Sequence, residues 1–265
     1  MRAIFISFFL VFSFLLAGFI IPLKKDDNYK VIKVNGQIVV VQTGKQLAAG
    51  DVYTENTALD FKTAESKATV INAEKGRFIL TSQAKSSKAS NLIPAINNIA
   101  SRNGPILNIV DIQNLFAGNL CVIEKLKVKI AAPVFKMGGK AGFFVFYTYR
   151  GEQIPKMLSN IGDTLVIDRS ELYKIDGKPI DTPDDHSVSL YYKNEKGQQT
   201  YISDFNLVFP NENELKNEIK MLVDESPTKS NSQKLDDISA FMLDFYGKTE
   251  AENLKPWLKK NFGIK

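Results

Sequence analysis

Cysteine, histidine and tryptophan each occur once in the 265 residues. A single Cys excludes an intramolecular disulfide and any zinc site built on several thiolates. A single His likewise excludes the three-His, HExxH and mixed Cys/His centres, each of which needs more than one imidazole or thiolate. No metal and no other cofactor is therefore expected. Arginine is scarce as well, with 5 Arg against 29 Lys. Nucleic-acid readers lean on guanidinium forks and clustered basic stripes, and neither is present, so no nucleic acid is expected as partner. Wholesale disorder is also excluded, because 44% hydrophobic and 24% charged residues supply material for a core. No period of about 20 to 50 residues argues for a repeat array.

One long apolar run is present. Ala3 to Ile21 (AIFISFFLVFSFLLAGFII) is interrupted only by Ser7, Ser13 and Gly18. As a helix it rises about 28 Å at ~1.5 Å per residue, enough to cross a bilayer core. Residues 1–22 are read as a signal peptide or membrane anchor. Arg2 and the free amine form the basic start of a signal, and Leu16-Ala17-Gly18 a small-residue cleavage site. Lipid attachment there would need Cys next, and the residue is Phe19. Phe19 to Ile21 prolong the run past the cut, as an anchor requires. Lys24 and Lys25 follow directly, and for an uncleaved segment the positive-inside rule favours a cytoplasmic body. A buried core helix is the third reading. Export is the expectation: periplasmic or secreted after cleavage, single-pass anchored without it. Membrane contact is expected only through residues 3–21, if uncleaved.

The remainder divides by composition. Residues 23–82 read as a small all-β domain. Tyr29–Val34 and Gln37–Gln42 flank Asn35-Gly36, a dipeptide suited to a type I′ hairpin, and Lys67–Asn72 with Gly76–Leu80 predicts a second hairpin. Residues 83–104 read as a linker, because Ser82 to Ser90 (SQAKSSKAS) lacks every large apolar residue; a short helix over 92–101 would carry Pro94 in its first turn.

Residues 105–265 read as an α+β domain, with strands over 105–209 and helices over 211–262. Strands are expected at 122–130 (Leu126, Val128 and Ile130 on one face), 143–149, 164–168, 187–192 and 199–203, with a hairpin at Asp176-Gly177. After Pro210 the period becomes helical: Asn211 as N-cap, Leu215, Ile219 and Leu222 as one stripe, then Leu235, Ile238, Phe241, Met242 and Phe245 as another, stopped by Gly247. Thr249 and Glu252 have capping-box spacing ahead of a last helix that Pro256 should keep short. The fold class is thus mainly β with an α+β C-terminal part: a small all-β domain, a linker, and an antiparallel sheet or sandwich packed with C-terminal helices.

Charge is uneven. Residues 23–104 carry 12 basic and 7 acidic side chains, 105–205 carry 12 and 12, and 206–265 carry 9 and 10. The basic surplus reads as a solvated face, or as weak attraction to an anionic envelope surface. No motif yields a catalytic, cofactor-binding or metal-binding residue. Gly247-Lys248-Thr249 resembles the end of a phosphate loop, but Met242 stands where the first glycine belongs and the triplet leaves a helix. Ser82/Lys85 and Ser226/Lys229 have Ser-x-x-Lys spacing without its companion elements. His186 beside Asp184 and Asp185 could form an acid/base pair, yet no nucleophile can be placed next to it. Asp176, Asp181, Asp184 and Asp185 could hold Ca²⁺, although the spacing is also that of ordinary turns. Cys121 reads as a buried small hydrophobe. Tyr147, Tyr149, Tyr191, Tyr192 and Tyr201 lie on strands, as core and cross-strand packing or as an aromatic binding surface.

Val34-Asn35-Gly36, Leu47 to Thr54 (LAAGDVYT), Ala58 to Phe61 (ALDF) and Ser66 to Ile71 (SKATVI) together resemble the FecR-type periplasmic domain over about residues 30–80. The resemblance implies a β-rich module outside the inner membrane. In the family's regulators that module passes an outer-membrane signal to a cytoplasmic anti-sigma segment. Only Met1 and Arg2 precede the run that opens at Ala3, so the sigma-factor role is not expected to carry over. The functional expectation is an exported, non-enzymatic cell-envelope protein that binds or scaffolds another envelope or membrane protein. A signalling accessory that senses through the FecR-like module and relays to a membrane partner is the alternative, and a carboxylate-dependent envelope hydrolase the second.

Overall fold

Val, Ile and Thr crowd the chain between 28 and 81, and the backbone there is mostly extended. The structure, a computed structural model, describes residues 28–82, 92–94, 105–131, 134–183 and 185–264. Seven strands come first: β1 (Asn28–Asn35), β2 (Ile38–Val40), β3 (Val52–Thr54), β4 (Leu59–Phe61), β5 (Lys67–Asn72), β6 (Gly76–Thr81) and β7 (Leu92–Pro94). Five form a sheet in the order β3-β1-β5-β6-β7, while β2 and β4 pair as a separate ribbon. The expected β5–β6 hairpin is present, with Asn72 opposite Gly76. Its turn is fastened by Asn72 Oδ1, which accepts from the N–H groups of Glu74 and Lys75.

The hairpin expected at Asn35-Gly36 does not form. β1 pairs with β3 and β5, and β2 with β4. A type I′ turn needs positive φ at both central residues, and here only Gly36 has it, at +76°. The chain instead leaves the sheet at Gly36, where a Cβ would stand 2.6 Å from Ser66 Oγ. Burial decides the path: crossing over lets Ile38 of β2 and Leu59 and Phe61 of β4 cover Tyr29, Val31, Ala68, Val70 and Leu80 on one face of the sheet. Leu92–Pro94 also departs from expectation. It is an edge strand on β6, a place where proline's missing donor is tolerated, and residues 95–104 of the linker lie outside the described residues.

The second set comprises α1 (Ile109–Leu115), β8 (Gly118–Cys121), β9 (Lys125–Lys129), β10 (Gly142–Tyr149), β11 (Glu152–Met157), β12 (Ser159–Ile161), β13 (Thr164–Asp168), α2 (Arg169–Leu172), β14 (Lys174–Ile175), β15 (Lys178–Pro179), β16 (Ser187–Lys193) and β17 (Gln199–Val208). A five-stranded sheet, β11-β10-β16-β17-β8, faces a three-stranded one, β12-β13-β9. Leu126, Val128, Leu165 and Ile167 from the small sheet join Phe143, Val145, Val188, Leu190, Phe205 and Leu207 from the large one in a single core, which is the arrangement of a β sandwich. Leu126, Val128 and Ile130 share the buried side as expected, although the strand itself starts at Lys125. Among the named strands of the described residues, the pairings here are antiparallel except β8 with β17. Asp176 (φ +49°) and Gly177 (φ +75°) make the predicted two-residue hairpin turn. Arg150 (φ +52°) and Gly151 (φ +83°) make another between β10 and β11.

Three helices close the chain: α3 (Glu212–Asp224), α4 (Asn231–Phe245) and α5 (Ala251–Phe262). Asn211 caps α3 as predicted, and Ser230 with Gln233 forms a full capping box on α4. The box expected at Thr249/Glu252 is absent: Glu250 is the N-cap of α5 and its side chain makes no cap bond. Pro256 does not shorten α5, which runs on to Phe262. Pro256 is exposed, so the carbonyl it leaves unbonded faces water, which removes much of the penalty.

These helices cover more than the sandwich. Leu215, Ile219, Leu222, Ile238, Phe241, Met242, Leu254, Trp257 and Leu258 share one core with Cys121 and Ile123, and also with Ile32 of β1 and Ile71 of β5. The first sheet is therefore layered between the β2–β4 ribbon and the C-terminal helices, and β5 is buried along both faces. Each buried isoleucine contributes about 1.5–3 kcal/mol. Around them runs a polar seam: Lys30–Glu225 at 2.8 Å, Lys33–Glu218 at 2.6 Å and Arg77–Asp244 at 2.7 Å. Part of the basic surplus of residues 23–104 thus meets acidic side chains of the same molecule.

Candidate binding face

Alternation along β10 sorts its aromatic residues. Phe143, Val145 and Tyr147 point into the sandwich core, so Phe144 and Phe146 occupy the opposite, outer face. Register carries the outer face across the sheet. Phe144 stands opposite Met157 on β11 and opposite Tyr191 on β16, and Tyr191 stands opposite Tyr201 on β17. Met157, Phe144, Tyr191 and Tyr201 thus form one row across four strands.

The row is tightly built. Phe144 and Tyr191 stack with centroids 5.5 Å apart and planes 19° off parallel. Phe146 meets both edge-on, at 5.4 and 5.3 Å, and Tyr201 meets Tyr191 at 5.4 Å. Such pairs add about 0.5–1.5 kcal/mol each beyond burial. Gly142 makes room for the end of the row, since its Cβ would approach Met157 Sδ to 3.3 Å. Phe144, in the middle, is 6% exposed, while Met157 at 53% and Tyr201 at 49% are open to solvent. Beside the row, Ser189 Oγ donates to Asp204 Oδ1 at 2.6 Å. The result is an ordered aromatic centre, two large accessible side chains, and a polar flank.

Of the five strand tyrosines, only Tyr191 and Tyr201 belong to this face. Tyr147 is buried and donates its hydroxyl to the Leu172 carbonyl. Tyr149 and Tyr192 pack against the inner core, and the Tyr192 hydroxyl donates to the Lys136 carbonyl at 2.9 Å. Phe144, Phe146 and Met157 were not singled out from sequence. A signal existed for the phenylalanines: β10 is apolar on both faces, whereas a half-exposed antiparallel strand normally alternates with polar residues.

The other candidates take structural positions. Gly247 (φ +104°) ends α4 where its Cβ would fall 2.4 Å from the Asn119 carbonyl oxygen. Lys248 extends the edge of β8 through backbone bonds to Asn119 and Cys121, and its Nζ donates to the carbonyls of Asn114 and Ala117. The triplet is thus a helix stop and a strand clasp. Ser226 and Lys229 lie in the α3–α4 turn, where Lys229 pairs with Asp237; Lys85 lies outside the described residues. His186 is exposed, and its carbonyl accepts from Leu207 N–H. Asp185 Oδ1 accepts from Ser187 N–H, and Asp184 is outside the described residues. Among the described residues no group of three or more His, Cys, Asp or Glu is placed to hold a metal ion. Cys121 is buried, and burial pushes its thiol up to about 12. The described helices include none long and apolar enough to cross a membrane; Ala3 to Ile21 lies outside the described residues.

No protein-family model matches the chain, and no curated protein matches it. Among solved structures it is similar to the N-terminal four Ig domains of Dscam1 isoform 7.44, at 9% identity and a TM-score of 0.19 over 71% of this chain and 46% of that one. Isoform 6.44 of the same protein gives 8% identity and a TM-score of 0.19. The chain spans about half the length of these structures, with 46% of each covered. A likeness at this score carries no argument about fold or function.

Proposed function

We propose that the protein is an exported, non-enzymatic component of the cell envelope that binds or scaffolds a partner protein through the outer aromatic row. The row is the observation that carries this reading. A sheet face in water is ordinarily polar, yet this one presents Met157 and Tyr201 beside Phe144, Phe146 and Tyr191. Aromatic and Met side chains with a polar rim are the composition of interface centres. The body is periplasmic or secreted if residues 1–22 are removed, and single-pass anchored if they stay.

A second reading is a signalling accessory in which the FecR-like module of residues 30–80 senses an envelope signal. It is favoured by the packing of Ile32 and Ile71 against the C-terminal helices, because that packing ties the state of the first sheet to the rest of the molecule.

Photo-crosslinking in the native host tests the first reading. A photoreactive residue at Tyr201 or Met157 is expected to trap one discrete partner, and the same residue at the distant exposed Val41 is expected to trap none. With the photoreactive residue at Met157, a Tyr191→Ser/Tyr201→Ser variant should lose that adduct while remaining folded, at a Tm lowered by the lost ring contacts of Tyr191. Intact capture by a folded double variant would overturn the reading.

A further inference from the structure

Asn35-Gly36 does not make the turn its sequence suggests, and the chemistry of the pair is unused by the fold. Asn35 is the last residue of β1, opposite Lys67 on β5, and Gly36 follows where the chain leaves the sheet. Both residues are exposed. An Asn followed by Gly is the pair whose main chain most readily attacks its own side chain, because a successor without Cβ leaves the backbone nitrogen unshielded and its torsions free. Packing holds that glycine in place. Gly36 has φ +76°, and a Cβ on it would stand 2.6 Å from Ser66 Oγ, which accepts from Gln37 N–H at 3.1 Å. A larger residue at 36 would slow the attack, but it would also be strained and would displace Ser66. The close approach that lets the chain turn away from the sheet thus keeps a reactive pair at the surface.

The surroundings of Asn35 are basic. Strand alternation puts it on the side of β1 that carries Lys33, and Lys67 stands directly across. Lys33 reaches Glu218, and Lys67 reaches the Asp244 carbonyl with its ammonium 5.0 Å from the Phe245 ring centre. Asn35 also ends its strand, where backbone hydrogen bonds open most readily. The attack needs only this exit to open, and the rest of the sheet stays closed.

We propose that Asn35 is a modification site, at which the protein deamidates itself without an enzyme. The Gly36 nitrogen loses its proton and bonds to Asn35 Cγ, while the side-chain nitrogen leaves with a proton as ammonia. Water then opens the five-membered imide at one of its two carbonyls, giving Asp or isoAsp. Water is the only co-reactant. Each product brings one negative charge opposite Lys67. IsoAsp also inserts a carbon into the main chain just ahead of Gly36, against the close contact with Ser66. The inference is independent of the aromatic row, which lies on the other sheet.

Storage of the full chain in H₂¹⁸O at pH 8 tests it, with the same chain in urea as the unfolded reference. Peptide mapping is expected to find Asp and isoAsp at position 35 of the folded protein by the time the urea sample has converted fully. Each product should carry one ¹⁸O, and conversion should be slower at pH 6, because the attacking nitrogen must lose its proton. Asn35 still intact in the folded protein at that point, or conversion at a rate independent of pH, would overturn the proposal. Asn103-Gly104 is the same dipeptide and lies outside the described residues; mapping counts it separately. The converted protein can be drawn off by ion exchange through its added charge. Its isoAsp form is expected to melt below fresh protein, and an isoAsp form that melts with fresh protein would overturn the strain assigned to the exit at Gly36.

Discussion

Gly247 combines two constraints that few positions share. Its φ of +104° disfavours any side chain, and the Asn119 carbonyl already fills the space a Cβ would need. Gly247→Ala should therefore cost at least ~2 kcal/mol, from backbone strain together with displacement of β8. Gly44 has φ +68° with nothing within 4 Å, so Gly44→Ala should cost only about 1 kcal/mol. Urea melts of the two variants check the ranking. Cys121 makes a second prediction at this scale. Burial raises its thiol to about 12 from an ordinary value of 9.0, so the folded state holds the proton longer than the unfolded chain does. That contribution is complete below pH ~9 and is lost as pH rises toward 12. Wild type should lose Tm over this range faster than Cys121→Ala, in which the common titration of tyrosines and lysines remains. Ellman's reagent should leave the native thiol untouched at pH 8 and react fully once the protein is unfolded.

Pro256 sits at an exposed position inside α5. Alanine there restores the bond to the Glu252 carbonyl and should raise Tm, by less than the ~3 kcal/mol that separates Pro from Ala in a helix interior, since proline also restricts the unfolded chain. Thermal melts of Pro256→Ala decide this, and an unchanged or lower Tm would mean that the ring's own contacts outweigh the missing bond. Elements also show how far local pattern reaches. The stripe Leu215, Ile219, Leu222 and the stop at Gly247 were readable because helical periodicity is a local property. Asn35-Gly36 and Asp176-Gly177 look alike as dipeptides, yet only the second makes a type I′ turn. The difference lies in where Ile38 can be buried, which is set by residues far along the chain. β11 reads EQIPKM and lacks alternation because it is an edge strand with Pro155 in it, so nothing marked Met157 as a neighbour of Phe144. The tyrosines were visible as strand residues, but which face each takes depends on registers and bulges that no window reports.

The whole molecule is held by contacts between its two ends. Lys33 and Glu218 are 185 residues apart, Lys30 and Glu225 are 195 apart, and Arg77 and Asp244 are 167 apart. No periodicity encodes such pairs, and for that reason the charge surplus of residues 23–104 read as a solvated face. A chain ending at residue 210 would leave Ile32 and Ile71 uncovered and would lack Glu218 and Asp244, which meet Lys33 and Arg77. Such a chain should fail to protect β1 and β5 from hydrogen exchange, whereas full-length protein should protect both. Persistent protection of these strands in the truncated chain would show that the ribbon face alone sustains the sheet.

The clasp at Lys248 bears on the order of events during synthesis. β8 receives its edge partner, and the first sheet its second cover, from residues made late. A chain emerging from a ribosome, or threading through a membrane, therefore presents Ile32 and Ile71 without their helical cover for the time needed to add more than a hundred further residues. Long-range pairings of this kind are slow to close and open to wrong partners while they wait. Closure over the first sheet is accordingly an event of the last few dozen residues.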